Sequence, residues 1–313
     1  MKMKSSDRRS LIDAVGNTPL LKLHHVVPKN SADVFIKYEA SNPTGSHKDR
    51  MAVAVLQAAL ESGNLQRGGR VVEYTGGSTG TAIAFVASIL GFRFTAVSSD
   101  AFSPSKIQAM RAFGAEVILE KSVDGKITAE LFQRMRVRAL ALANEPGSYY
   151  FDQFGSKDVP RGYEAIGLEI AQTFDGKINA ICAAVGTAGS LMGTVAGLAK
   201  AGQFPDVYVL EPKQSALLTT GASGAHLIEG IALGFIPPSL DLSKVKECRA
   251  IDQTLAFDMC RRMAREEGIL AGGSTGINVV GALQIAQEIG SGGTVITLAC
   301  DSGFKYLGGR IYG

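Results

Sequence analysis

Nearly unbroken apolar runs recur along this chain, with room for one or two helices between each run and the next. The run I-N-A-I-C-A-A-V at 178–185 lacks the alternation of a half-exposed strand, so both of its faces need cover. Strands of this kind are expected at Val34–Tyr38, Arg70–Tyr74, Phe94–Ser98, Glu116–Leu119, Ile178–Val185, Val207–Leu210 and Thr294–Ala299. Helix-period segments fill the intervals: Lys48–Glu61, Thr79–Leu90, Ser105–Phe113, Ile127–Ala143, Arg161–Thr173, Ser190–Ala201, Leu255–Glu267 and Thr275–Ile289. Repeated βα units need a largely parallel sheet with helices on both faces, a doubly wound α/β architecture. At 313 residues there is chain enough for two domains. Their joint is expected in the polar, Gly- and Pro-containing stretch Asn144–Pro160, because no low-complexity linker and no internal repeat marks another place.

Composition removes several classes. Hydrophobic residues make up 46% and charged residues 19%, which argues against disorder. A net charge of +3 with both signs interspersed is too weak a bias for nucleic acid. The four cysteines (Cys182, Cys248, Cys260, Cys300) form no C-x-x-C pair, so neither a metal site nor a disulfide framework is expected. The N-terminus M-K-M-K-S-S-D-R-R-S has no apolar h-region, and no apolar run is long enough to span a membrane. The expected setting is the cytoplasm.

Glycine concentrates where strands give way to helices. There are 37 glycines, and three clusters stand out: T-G-G-S-T-G (Thr75–Gly80), G-T-A-G-S (Gly186–Ser190) and G-G-S-T-G (Gly272–Gly276). A helix N-terminus behind a glycine turn offers unpaired N–H groups to an anion. Ligands of parallel α/β sheets bind beyond the carboxyl ends of the strands. Three such cradles at one sheet edge suggest a small molecule bearing both a phosphate and a carboxylate. The stretch Y-E-A-S-N-P-T-G-S-H-K-D-R (Tyr38–Arg50) adds a lysine just inside a helix start, with Ser46 a candidate N-cap. A cation there opposes the helix dipole. A free lysine with a pKa near ~10.4 is neutral only about once in 2,500 at pH 7, so a nucleophilic Lys48 needs its charge removed by its surroundings or a covalent bond. By itself, Lys48 reads more simply as an ordinary surface lysine after a turn, and only the rest of the chain overturns that reading. No G-x-x-x-x-G-K-[ST] and no early G-x-G-x-x-G with a following acid occurs, which sets aside P-loop nucleotidases and nicotinamide dehydrogenases.

Taken in order, N-P-T-G-S-x-K-D-R, the Thr/Gly/Ser loop, G-T-x-G-[ST] and E-E-G-I-L-A-G-x-S-x-G resemble the cysteine synthase/cystathionine β-synthase family. The similarity runs from V-G-N-T-P-L (Val15–Leu20) to D-S-G-F-K-Y-L (Asp301–Leu307). It implies the tryptophan synthase β-like fold (fold type II), two doubly wound open-sheet domains, with pyridoxal 5′-phosphate as cofactor. Residues 1–39 and 156–313 would form the larger, cofactor-phosphate-binding domain, and residues 40–155 the smaller mobile one. Lys48 would form the Schiff base with the cofactor and shuttle the α-proton. Gly186, Thr187, Ala188, Gly189 and Ser190 would hold the phosphate, and Ser274 would hydrogen-bond the pyridine nitrogen. Thr75, Gly76, Gly77, Ser78 and Thr79 would grip the substrate carboxylate with help from Gln153, Ser78 also standing where the family contacts the cofactor. No metal is implied. A homodimer is.

A neutral serine facing the pyridine nitrogen makes the ring a weaker electron sink than an aspartate would, favouring loss of a β-substituent over transamination. Alone, Ser274 reads as a helix N-cap. The resemblance thus implies β-replacement through an α-aminoacrylate, with L-cysteine made from O-acetyl-L-serine and sulfide. Cystathionine β-synthase-like or specialised replacement with another nucleophile stays open. So do serine/threonine dehydratase-like elimination and a non-enzymatic homologue. Two residues depart from the family pattern: Ser78, where Asn is usual, and His47, where an aliphatic residue is usual. His47 is expected to pack or to support other residues. The stretch Pro212–Pro238 contains no arginine and is mostly small and apolar, which suits an acetyl ester better than a phosphate.

Overall fold

The computed structural model describes residues 10–125 and 128–313. The first half contains β1 (Leu20–Lys22), β2 (Asp33–Tyr38), α1 (Lys48–Glu61), β3 (Arg70–Tyr74), α2 (Ser78–Leu90), β4 (Arg93–Ser99), α3 (Pro104–Ala112), β5 (Glu116–Glu120), α4 (Ala129–Ala143) and β6 (Ser148–Tyr150). The second contains α5 (Asp158–Thr173), β7 (Ala180–Ala184), α6 (Gly189–Lys200), β8 (Asp206–Pro212), α7 (Leu217–Thr220), β9 (Glu247–Ile251), α8 (Gln253–Arg262), α9 (Gly273–Ile289) and β10 (Thr294–Ala299). Among the described residues, no helix is long and apolar enough to cross a membrane.

The elements fall into two compact units. The described part of the first takes residues 10–16, 42–44, 48–125 and 128–162. Its sheet has the order β5-β4-β3-β6, parallel throughout. Val72, Tyr74 and Val97 form one apolar face, which Leu131, Met135 and Ala139 of α4 cover. On α4, the Thr128 hydroxyl caps the helix by accepting from Leu131 N at 3.2 Å. Ile127, the expected start of that helix, lies outside the described residues. The other face belongs to α2, whose S-T-G-T-A-I-A-F-V-A-S-I-L is apolar nearly all round and buried along nine consecutive residues, Thr79–Ala87.

The second unit takes Asn17–Ser41, Gly45–His47 and Tyr163–Gly313. Its sheet has the order β1-β2-β10-β7-β8-β9, with only the short β1 antiparallel. The buried Asn278 of α9 ties that helix to two strands. Its Oδ1 accepts from Ala184 N at 2.7 Å and its Nδ2 donates to Leu298 O at 2.8 Å. Both ends of the amide are thus satisfied in an apolar layer, as burial of a polar group demands. On the same sheet, α5 and α6 cross where Gly167 and Gly197 meet. A Cβ on either would overlap the other helix's backbone carbonyls.

Three strands were not expected. β1 is only three residues long, and β9 (E-C-R-A-I) is a partly exposed edge strand, so neither carries a continuous apolar run. The third, β6, sits inside the stretch expected as a domain joint and pairs with β3. The segment 255–267 is not one helix either. Asp252 caps α8, which gives way to a π-helical turn at Met263–Glu267 ended by Gly268 at φ 70°.

Candidate active site

In the first unit, α1 opens at Lys48 itself, one residue later than an N-cap at Ser46 would start it. Asp49 reaches back so that its carboxylate accepts from Thr44 N at 2.7 Å and from the Thr44 hydroxyl, fixing the N-P-T turn before the lysine. Ser46 and His47 belong to the second unit, where Ser46 bridges to Asp301 and His47 N donates to Cys300 O at 2.9 Å. The buried His47 ring packs edge-on against Tyr163 at 5.5 Å, the packing role expected of it.

The T-G-G-S-T-G loop follows β3 and opens α2. Thr75 shapes it: its hydroxyl accepts from Gly77 N and Gly80 N, each at 3.2 Å. There is no space for side chains at Gly76, against Phe102, or at Gly77, against the Lys106 stem. The N–H groups of Gly76, Ser78 and Thr79 take no partner among the described residues, as the first turn of a helix allows. Thr79 donates its hydroxyl hydrogen to Gln153 Oε1 at 2.9 Å, and Gln153 Nε2 donates to Tyr74 O at 3.1 Å. Thr75, Gly76, Gly77, Ser78, Thr79 and Gln153 are therefore brought together. The hydroxyl of Ser78 has no described partner.

In the second unit, the loop Gly186–Ser190 follows β7 and opens α6. Ala188, the N-cap residue, is held at φ 61°, ψ −7°, a left-handed conformation that costs a side-chain-bearing residue about 1–2 kcal/mol. Gly186 runs so close to the chain at Gly230 that a Cβ would overlap the Gly230 carbonyl oxygen, and Ala232 N donates to Val185 O at 3.0 Å. Thr187 accepts from Gly189 N at 3.4 Å, while the N–H groups of Thr187, Ala188 and Ser190 take no described partner. Ser274 stands in the first turn of α9, whose N-cap is Gly272. It is not the cap. The residue is 9% exposed and its hydroxyl hydrogen-bonds no described residue, whereas its neighbour Thr275 accepts from Cys300 N at 3.1 Å. That bond sets the α9 start at the carboxyl end of β10, next in the sheet to β7 and its loop.

The three glycine clusters therefore do not share one sheet edge. The first belongs to the four-stranded sheet, the others to the six-stranded sheet. The third also differs in following no strand, since Ala271 makes only an isolated bridge to Ser302.

Other residues here were not singled out from the sequence. Wholly buried Glu73 accepts from Tyr74 N at 2.8 Å and Gln153 N at 2.9 Å; its signal was an acid inside the otherwise apolar V-V-E-Y. Asp301 lies against Gly272 and accepts from the Tyr306 hydroxyl at 2.6 Å; burial first, then the Asp301 charge and this bond, drive the Tyr306 pKa well up. Burial also pushes the thiols of Cys182 and Cys260 up to about 12, which keeps them protonated. Among the described residues, no group of three or more His, Cys, Asp or Glu could hold a metal.

The second unit's donor set fits a phosphorylated pyridine. A cradle of unpaired N–H groups and the hydroxyls of Thr187 and Ser190 suit a phosphate, and the partnerless Ser274 hydroxyl suits a ring nitrogen. Comparison with known proteins agrees. The family model for pyridoxal-phosphate dependent enzymes matches residues 11–301. A cysteine synthase of Staphylococcus aureus (strain N315) is 35% identical over 307 residues, covering 97% of this chain and 96% of that protein. The crystal structure of an O-ureido-L-serine synthase superposes with a TM-score of 0.90 at 33% identity, covering 97% of this chain and 94% of that one. A cysteine synthase structure from Entamoeba histolytica gives 0.89 at 29%, covering 100% and 94%. This chain thus belongs to the pyridoxal-phosphate dependent enzymes of the tryptophan synthase β-like fold, within the cysteine synthase/cystathionine β-synthase family.

Proposed function

We propose that the enzyme carries out β-replacement on an O-substituted L-serine, with O-acetyl-L-serine as donor, sulfide as nucleophile and L-cysteine as product. The observation that carries this reading is Ser274: a nearly buried, uncharged hydroxyl with no described partner, at the end of β10. Bound pyridoxal phosphate supplies the electron sink that lets a β-substituent leave. The chain's residues do the rest. Lys48 attaches the cofactor covalently and moves the proton at the substrate α-carbon. Residues 186–190 bind the phosphate through N–H groups and hydroxyls. The free N–H groups of Gly76, Ser78 and Thr79 bind the α-carboxylate, with Gln153 orienting Thr79. Ser274 would hold the ring nitrogen as a neutral hydrogen-bond partner.

The donor assignment rests on the chain near the phosphate loop. Residues 230–232 lie against Val185 and Gly186, and this neighbourhood holds His226, whose Nε2 lies 3.1 Å from Ala232 O. Burial lowers the His226 pKa, which disfavours the charged ring that a phosphate ester would need. The same proposal includes a homodimer working in the cytoplasm.

Two experiments test the reading. Borohydride reduction of the holoenzyme and peptide mapping should place the pyridoxyl group on Lys48; another lysine would overturn its role. Comparing kcat/KM for O-acetylserine, O-phosphoserine and serine with sulfide should favour the acetyl ester. A preference for O-phosphoserine defeats the donor assignment.

A second reading has its own support. Ser78 is shorter than the family's usual Asn, its hydroxyl has no described partner, and a relative of closely similar fold is an O-ureido-L-serine synthase. Replacement with a bulkier nucleophile than sulfide would use that space. Mass spectrometry of products from mixed nucleophiles, for wild type and Ser78→Asn, decides between the two. The second reading requires the wild type alone to accept the larger one.

A further inference from the structure

Glu73 is wholly buried in β3. Val72 and Tyr74 turn to the α4 face, so the pleat puts Glu73 on the opposite one. There α2 offers no charged residue. Among the described residues Glu73 forms no ion pair; its carboxyl oxygens accept the N–H groups of Tyr74 and Gln153, and the Gln153 side chain also acts on it. Gln153 then accepts the Thr79 hydroxyl hydrogen and donates to Tyr74 O. Acid, glutamine and threonine form one hydrogen-bonded line ending at the loop with the free N–H groups.

We infer that Glu73 is a positioning residue for the amino-acid site: through Gln153 it holds Thr79 and the 75–79 loop in the form that accepts a carboxylate, and it does so best as the neutral acid. A negative charge at that depth would oppose the incoming carboxylate, and reciprocally a bound carboxylate would favour the neutral acid. The inference rests on the reading of that loop given above.

The surroundings favour the neutral form. Burial pushes the Glu73 carboxyl up to about 8, and the charge of Asp152 adds to that, against the lowering effect of the two backbone N–H bonds. On the α4 side of the strand the Arg136 guanidinium acts on the phenols of Tyr74 and Tyr150, and at the loop itself the buried Lys106 of α3 lies with its stem against Gly77. Asp152 sits at φ 53°, a conformation asparagine adopts as readily, so its charge can be removed without disturbing the backbone.

Calorimetric titration of the holoenzyme with glycine tests this, since glycine carries the α-carboxylate and no leaving group. The wild-type Kd should rise about fivefold from pH 7 to 9 beyond the slope that remains in Glu73→Gln. Asp152→Asn should move that break to lower pH, a shift that a merely structural role would not produce. Identical profiles for wild type and Glu73→Gln, or a break that Asp152→Asn leaves in place, overturn the inference. If Glu73→Gln does not fold, the Asp152→Asn shift decides alone. Thr79→Ala separates the two levels. Unchanged glycine affinity at pH 7 in that variant removes the loop reading itself. Weakened affinity without a Glu73 effect removes only the inference.

Discussion

The two loops proposed to bind anions have similar sequences and open helices in the same way, yet they are held by different means. T-G-G-S-T-G is shaped by side chains: the Thr75 hydroxyl takes two loop N–H groups, and Gln153 and Glu73 hold it from beneath. G-T-A-G-S has one long side-chain bond, Gly189 N to the Thr187 hydroxyl, and is otherwise shaped by backbone: a left-handed Ala188, contact between Gly186 and Gly230, and the bond from Ala232 N to Val185 O. Side-chain hydrogen bonds can be exchanged at a cost of about 1 kcal/mol each, whereas backbone overlap cannot be relieved without moving the chain. The first loop is suited to a ligand that comes and goes. The second suits one that stays.

If that contrast is right, the largest effect comes from breaking the second loop. Gly186→Ala places a methyl on the Gly230 carbonyl oxygen and must displace one segment or the other. We expect purified Gly186→Ala to lose most of its cofactor, with affinity for added pyridoxal phosphate down about 100-fold, the scale of two or three lost anion contacts. The cofactor absorbance per chain measures it. Retention of full cofactor would mean that the phosphate lies elsewhere.

A smaller effect is expected in the first loop. Thr75→Val keeps the shape but leaves Gly77 N and Gly80 N without an acceptor, about 1–3 kcal/mol for each buried donor. Cofactor content should stay at the wild-type level while KM for the amino-acid donor rises about tenfold, the equivalent of ~1.4 kcal/mol. Loss of cofactor in this variant would erase the distinction between the loops.

The buried acid adds a stability signature. Glu73 has its folded pKa raised from 4.5 to about 8, so between those values the folded chain holds a proton that the unfolded chain has released. Stability must then fall as pH rises through that window, by about 2–4 kcal/mol after allowing for relaxation around the charge. Glu73→Gln should flatten the fall in Tm between pH 5 and 8. An equal slope in both proteins would mean that Glu73 is already ionised at pH 5.

Much of this was legible in the sequence, for reasons that differ by element. Mostly apolar runs marked β3, β4, β7 and β10, because a strand covered on both faces has few polar positions to confuse the pattern, Glu73 in β3 being an exception. Three-residue strands carry no such signal, so β1 and β6 were not seen, and polar β9 is held by one neighbour only. Each cluster of site residues was legible where glycine and hydroxyl residues were adjacent in the chain. What escaped was pairing at a distance. Nothing local in the sequence places Gln153 under Thr79, 74 positions away, by way of Glu73, and the resemblance alone supplied Gln153. The shared sheet edge failed for the same reason, since strand order is a property of the whole chain.

The smallest predicted effect bears on the rigid loop. Ala188→Gly removes the strain of a left-handed alanine, worth about 1 kcal/mol or somewhat more in favour of folding. Against that, glycine adds about 0.4–1 kcal/mol of unfolded-state entropy. Losing a methyl that is 2% exposed costs about 0.8 kcal/mol of burial. The three nearly cancel, so Tm should move by no more than about 3 °C in a chain of this length. Cofactor content should stay intact, since the N–H groups of the cradle are unchanged and glycine prefers the φ they need. Calorimetry of the holoenzyme checks both. A large stabilisation would show that Ala188 carries more strain than its geometry implies. A large loss of cofactor would show that the methyl itself, packed in the loop, keeps the cradle closed.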